Sequence, residues 1–73
     1  DIRIIMQAAI LGNASSIILA HNHPSGSLKP SAQDDLVTMN LRKAAKLFNI
    51  TVLDHIIVTD SGYYSYLDEG RVL

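Results

Sequence analysis

Residues 16–34 read SIILAHNHPSGSLKPSAQD, and this stretch decides the fold. Residues 16–21 are apolar on both faces, which is typical of a central strand covered on each side. Residues 22–30 are rich in proline, glycine and serine, which break regular structure and predict a loop. Ser31 suits the start of a helix, because its hydroxyl can accept a hydrogen bond from an exposed backbone amide. The stretch therefore predicts a strand, a loop and a helix.

The predicted helix runs from Ser31 to Asn49 and is followed by two strands. Its apolar stripe consists of Val37, Leu41, Ala44 and Phe48, widened by Ala45 and Leu47. Two acidic residues in the first turn and three basic residues near the end agree with the helix dipole. Residues 51–58 predict a second strand, 60–62 a turn, and 63–67 a third strand that pairs back as a hairpin.

A further apolar segment precedes the first strand and predicts another helix. Two stripes recur at helical spacing, one of Ile2, Ile5, Met6, Ala9 and Ile10 and the other of Ile4, Ala8 and Leu11. Asp1 can cap its start, and Gly12–Asn13 is a stop signal. A helix with so narrow a polar edge is expected to be covered on most sides.

The resulting order is helix, strand, helix, strand, strand, an α/β fold with a strand-helix-strand unit at its centre. Two or three strands form a poor sheet by themselves. We therefore expect further strands upstream, so that the chain is a fragment whose fold is incomplete at the N-terminus.

Composition excludes several classes of site. The chain has no cysteine, so disulfides and thiolate zinc sites are ruled out. A formal charge of −1 does not suggest a nucleic-acid or anionic-membrane partner. No apolar run approaches the roughly 18 residues that a membrane span needs, and no signal sequence is recognisable. The absence of cysteine fits the cytoplasm, which is the expected location.

His21 and His23 are the clearest candidates for chemistry. Alternate residues of an extended segment face the same side, roughly 6.6 Å apart along the chain. Two imidazoles so placed can converge on one ion, and Asp34 in the first turn of the following helix is well placed to supply a third ligand. A competing interpretation is that Ser31 and Asp34 form only a helix-capping box. The two interpretations are compatible.

The spacing of these residues resembles a known motif. His21-Asn22-His23, seven further residues, Ser31, two residues and Asp34 match the JAMM (MPN+) metalloprotease pattern. The string HNHPSG, with Asn13-Ala14 before the strand and Leu53-Asp54-His55 after the helix, is similar to the bacterial RadC branch. Residues 1–73 thus resemble the C-terminal portion of a single RadC-like JAMM/MPN+ (JAB) domain. The resemblance implies a mixed central sheet flanked by helices, with cytidine-deaminase-like layering.

The same resemblance implies a zinc site with His21, His23 and Asp34 as ligands and water in the fourth position. It assigns the catalytic oxyanion-stabilising role to Ser31, and it implies hydrolysis of peptide or isopeptide bonds. The family's general-base glutamate lies well upstream of the paired histidines, whereas Glu69, the only glutamate here, lies downstream and is not assigned that role. On this chain alone, activity as an enzyme is therefore left open.

Other interpretations stay open beside the hydrolase. Asp54 or His55 could hold a metal ligand from behind, although hydrogen bonds to backbone or to a neighbouring strand would also explain them. The RadC name carries an association with DNA repair, which the charge does not support. A non-catalytic scaffold module is a third possibility. A peptide or protein is the expected substrate, and a homo-oligomer is compatible with the sequence.

Overall fold

The computed structural model describes residues 1–71 and contains five elements in the predicted order. Their bounds are α1 Ile2–Leu11, β1 Ser16–Asn22, α2 Ala32–Leu47, β2 Thr51–Thr59 and β3 Gly62–Ser65. Strands β1 and β2 pair in parallel, and β2 and β3 pair antiparallel as a hairpin. The α/β class and the mixed sheet are therefore confirmed. Within these residues no helix is both long enough and apolar enough to cross a membrane.

Strand β1 lies at an edge of the described sheet, whose order is β1-β2-β3. The prediction of a central strand covered on both faces is wrong for the described residues. Ile17 and Leu19 pack against the core that the helices form, whereas Ile18 on the opposite face is 59% exposed. The central position belongs to β2, because both other strands pair with it.

A bulge in β2 determines which way its polar residues face. Ile17 pairs with Val52 but the next residue of β1 pairs with Asp54, so Leu53 is the extra residue. Strict alternation would put Val52 and His55 on opposite faces, since they are three residues apart. The bulge changes the phase, so Val52 packs in the helix-side core and His55 still contacts α2. Re-aiming a side chain is a common use of bulges.

The core lies between the two helices and one face of the sheet. Its buried members are Met6, Ala9, Leu41, Ala45, Ile50 and Val52. Burying such apolar side chains stabilises the fold by roughly 1.5–3 kcal/mol for each large one. This core is the platform that carries the end of β1 and the start of α2.

Helix α1 is less covered than predicted. Only Met6 and Ala9 are buried, and Leu11 is 76% exposed. The prediction that this helix is covered on most sides is therefore wrong for the described residues, because only one of its stripes meets α2 and the sheet. The predicted N-cap is confirmed, since Asp1 accepts a hydrogen bond from the amide of Arg3 at 2.9 Å.

The buried stripe of α2 is rotated from the predicted one. It consists of Thr38, Leu41 and Ala45. Leu47 is 83% exposed and Phe48 is also exposed, so assigning these two to the apolar stripe was wrong. The helix ends at Leu47, and Asn49 then takes a left-handed conformation with φ of 58°, which turns the chain toward β2 before Phe48 can reach the core.

Candidate metal centre

Two secondary-structure ends bring the candidate ligands together. His21 lies at the carboxyl end of β1, and His23 follows directly, its amide donating to the carbonyl of Val58 at 3.0 Å. Asp34 lies in the first turn of α2. Because the loop between them returns the chain to the same edge of the sheet, the three side chains meet there.

The ligand atoms of His21, His23 and Asp34 all lie within 4.8 Å of one another. Nε2 of His21 is 3.0 Å from Oδ1 of Asp34, and Nε2 of His23 is 2.9 Å from Oδ2. All three residues are half-buried. The carboxylate thus presents one oxygen to each imidazole. Donor atoms gathered this closely, two nitrogens and a carboxylate, are those that zinc prefers.

The orientation of His23 is determined by its other ring nitrogen. Nδ1 lies 2.8 Å from the backbone carbonyl of Ser27. A carbonyl oxygen can only accept, so Nδ1 carries the proton and donates it. In the neutral ring, Nε2, the nitrogen that faces Asp34, then carries the lone pair that is available for a cation. A carbonyl partner of this kind is usual behind a metal-bound histidine.

Asp34 combines two roles that the sequence left side by side. Its Oδ2 accepts from the amide of Ser31 at 2.8 Å, and its own amide donates to Ser31 Oγ at 3.0 Å, which completes a capping box. Burial alone would raise the pKa of Asp34, but the hydrogen bonds from Ser31, and the positive charge of the two histidines when they are protonated, lower it below its usual value. The group is therefore a carboxylate near neutral pH, in contact with both imidazoles while it caps the helix.

His55 contacts the site from behind. Its Nε2 lies 2.9 Å from Nδ1 of His21, and its Nδ1 contacts the hydroxyl of Thr38. The residue is only 1% exposed, and its ring stacks on Tyr66. Burial lowers the pKa of His55, the neighbouring His21 lowers it further, and nearby carboxylates oppose the shift. His55 is accordingly neutral.

Asp54 is directed elsewhere. Its carboxylate accepts hydrogen bonds from Ser65 Oγ at 2.5 Å, from the amide of His55 at 2.7 Å and from the amide of Leu67 at 3.0 Å. Burial raises its pKa, but these hydrogen bonds outweigh burial and hold the pKa below its usual value. The contacts tie the end of β3 to β2. Of the two residues predicted behind the ligands, only His55 hydrogen-bonds to one of them among the described residues.

Ser31 is exposed at the mouth of the site. Its hydroxyl oxygen accepts from Asp34, which leaves its own O–H group able to donate. Glu69 lies in the turn after β3, where its amide donates to the carbonyl of Ser65, and it is not part of the group that could hold an ion within residues 1–71.

Two clefts border the group. One of about 410 Å³ lies beside His23 and is lined by Asn22, His23, Pro24, Gly26, Val58, Thr59 and Asp60. The other, of about 240 Å³, lies on the α1 side of the group, where Ile5, Leu19 and Val37 surround His21 and Asp34. The group is therefore reachable from outside while its donor atoms stay largely shielded.

Two contributions to the site were not predicted from the sequence. The first is Thr38, which looked like an ordinary helix residue. Its polar side chain inside an apolar stripe is a weak signal that could have singled it out. The second is the carbonyl of Ser27, which leaves no trace in the side-chain pattern.

Sequence comparison with known proteins identifies a family. The family model of the RadC-like JAB domain matches residues 1–71 of this chain. A UPF0758 protein of Porphyromonas gingivalis is 51% identical over 71 residues, which are 96% of this chain and 31% of that protein. A UPF0758 protein of Streptococcus sanguinis is 49% identical over a match that covers 97% of this chain and 31% of that protein. A UPF0758 protein of Thermotoga maritima is 41% identical over a match that covers 96% of this chain and 32% of that protein. The chain thus spans less than a third of the length of these curated relatives.

Proposed function

The chain belongs to the RadC-like JAB domain family, and we propose that His21, His23 and Asp34 bind zinc in a hydrolase that acts on peptide or isopeptide bonds. The observation that carries the proposal is that both Nε2 atoms face the two oxygens of one carboxylate, at 3.0 and 2.9 Å. Three protein ligands of this type are the usual set of a catalytic rather than a structural zinc site.

The donor set also fits a cation on electrostatic grounds. Nδ1 of His23 donates to a carbonyl, so a neutral His23 presents a lone pair to Asp34. A lone pair facing a carboxylate oxygen at 2.9 Å is repulsive unless a proton or a metal ion lies between them. A divalent ion shared by the three side chains removes this repulsion for both histidines together.

Zinc held by these three residues would supply an activated water near neutral pH and would polarise a carbonyl. The residues of this chain would orient the reactants around it. The free O–H of Ser31 can donate to the oxygen of a substrate carbonyl as negative charge develops there. The cleft beside His23 gives a polypeptide access to the group. The general base is proposed to be a glutamate upstream of residue 1, as the family pattern implies.

A formal charge of −1 gives no basis for a DNA-binding alternative, since nucleic-acid affinity depends on lysine and arginine that neutralise phosphates. The remaining alternative is a module that binds the ion without catalysis.

Zinc content of the purified chain, and turnover of the longer protein that contains the proposed upstream glutamate, test the proposal. We expect one zinc ion per chain in the wild type and loss of that ion in a folded His23→Ala variant. Asn22→Ala is the control and should keep its zinc, because Asn22 is exposed and lies between the two histidines. Zinc-dependent cleavage of peptide or isopeptide substrates should disappear with the ion. Absence of zinc affinity would overturn the site, and stoichiometric zinc in the longer protein without any such cleavage would overturn the hydrolase.

A further inference from the structure

Four groups form a closed circuit of contacts around the candidate metal centre. The hydroxyl of Thr38 donates to the backbone carbonyl of Asp34 at 2.8 Å and contacts Nδ1 of His55. Nε2 of His55 lies 2.9 Å from Nδ1 of His21, and Nε2 of His21 returns to the carboxylate of Asp34 at 3.0 Å. The circuit therefore begins and ends on the same residue.

The direction of every hydrogen bond in this circuit follows from its first acceptor. The carbonyl of Asp34 has no proton to give, so it must accept the single hydroxyl proton of Thr38. The oxygen of Thr38 can then only accept from His55, which places a proton on Nδ1 of His55. A neutral imidazole carries one proton, so Nε2 of His55 is an acceptor and must receive a hydrogen bond from Nδ1 of His21.

The surroundings of His55 agree with this order. Its two nitrogens are bonded to a hydroxyl and to an imidazole, and neither partner is a carboxylate that would stabilise a second proton. The ring stacks on Tyr66 with 5° between the planes, so it cannot rotate without disturbing the packing. Thr38 is buried as well, at 4% exposure.

We propose that Thr38 and His55 are positioning residues that keep the proton of His21 on Nδ1 and so reserve its Nε2 for the metal ion. This inference rests on the metal site of the proposed function but not on hydrolysis. Both ligand histidines are thus oriented by a backbone carbonyl. The carbonyl of Ser27 accepts directly from His23, whereas the carbonyl of Asp34 acts on His21 through the side chains of Thr38 and His55.

Nitrogen-15 NMR of histidine-labelled protein tests the inference without any assay of activity. In both metal-free and zinc-loaded protein, we expect the His55 ring to be protonated on Nδ1 with Nε2 unprotonated. In the zinc-loaded protein, we expect His21 to be protonated on Nδ1 and coordinated through Nε2. A proton on Nε2 of His55, or zinc on Nδ1 of His21, would overturn the inference while leaving the zinc site itself intact.

Paired variants supply a second readout. Thr38→Val removes the hydroxyl at nearly constant volume, whereas Thr38→Ser keeps it. Residues behind metal ligands typically contribute about 10- to 100-fold in affinity, so we expect Thr38→Val to weaken zinc binding at least about 10-fold in a chelator competition and Thr38→Ser to retain it. Equal affinity in the two variants would contradict the inference. If Thr38→Val does not fold, the NMR result for the wild type decides whether the inference holds. If the wild type binds no zinc, the proposed function is refuted, and the metal-free spectrum still reports which nitrogen of His55 carries the proton.

Discussion

The ring of Tyr66 lies parallel to that of His55, with centroids 4.8 Å apart and 5° between the planes. The hydroxyl of Tyr66 donates to Asp35 at 2.7 Å, and the guanidinium of Arg71 lies over the tyrosine ring, 4.6 Å from its centroid. The wall behind His21 is thus assembled from α2, β2 and the segment after β3. Because this wall is packed and hydrogen-bonded, substitutions at the mouth of the site should act locally.

Asp34→Asn separates the capping role of this residue from its proposed ligand role. The amide oxygen can still accept from the backbone of Ser31, so we expect the variant to remain folded. Loss of the negative charge should weaken zinc binding by more than the roughly 100-fold limit typical of residues behind the ligands. Chelator competition measures this, with Asp68→Asn as the control because Asp68 is exposed and lies outside the site. Equal losses in both variants would contradict a specific role for Asp34.

Ser31 can be tested as a cap and as a catalytic group independently. Ser31→Ala should lower the free energy of unfolding by about 1 kcal/mol, whereas Ser31→Gly should lower it by only a few tenths, because glycine is tolerated at an N-cap. If the hydroxyl also stabilises developing charge on the substrate, both variants should lose turnover to the same extent, about 10²-fold or more. If Ser31→Gly instead keeps most of its turnover, as it keeps most of its stability, Ser31 acts only as the helix cap.

Gly26 shapes the loop that orients His23. Its φ of 81° strains any residue with a Cβ, although no atom lies within 4 Å of where that Cβ would be. Gly26→Ala should therefore cost about 1 kcal/mol of stability and weaken zinc binding, because the carbonyl of Ser27 next to it holds the His23 ring. Gly70→Ala is a matched control, since Gly70 has a φ of 70°, is equally open and lies far along the chain from the histidines. The control should lose comparable stability with unchanged zinc affinity; weakened binding in the control would refute the explanation.

Asp54 should make the fold sensitive to acid. Because its pKa in the folded protein lies below the usual 3.8, the charged form stabilises the fold above that value, and the contribution is lost as the pH falls through the folded pKa. Asp54→Asn should lower stability near pH 7 by about 1.5–3 kcal/mol, the range for hydrogen bonds to a charged group. The difference between the two proteins should be constant above about pH 4 and should shrink only as the pH falls further, toward and through the folded pKa. Denaturant unfolding across pH 2–7 measures this, and a difference that does not shrink below about pH 4, or the same effect from the exposed Asp68→Asn, would contradict it.

The sequence alone predicted the parts of the fold that depend on local patterns. The element order, the parallel strand-helix-strand unit, the hairpin and the Asp1 cap all follow from periodicity and capping chemistry, and the structure confirms them. The meeting of His21, His23 and Asp34 was also anticipated, from the alternate spacing of the histidines, the place of Asp34 in the first turn of the following helix, and the resemblance to the JAMM pattern. The binding of zinc by these residues and the role of Ser31 stay predictions.

The remainder depends on contacts that the pattern does not encode. Alternation along β2 gave no indication of the bulge at Leu53, so the inward direction of His55 could not be derived from it. Leu47 and Phe48 continued an apolar stripe in the sequence, yet α2 ends before they could reach the core described here. Thr38 gains its importance only from a partner 17 residues away.

The capping box at the start of α2 has a dynamic consequence. Since one oxygen of Asp34 accepts from the amide of Ser31 and also faces His23, fraying of that first turn and loss of the candidate metal-binding geometry are expected to be a single opening event. An ion that binds only the closed form must slow that opening. Deuterium exchange at the backbone amide of Asp34, which donates a hydrogen bond to Ser31, would then report whether the site is occupied without any substrate being needed.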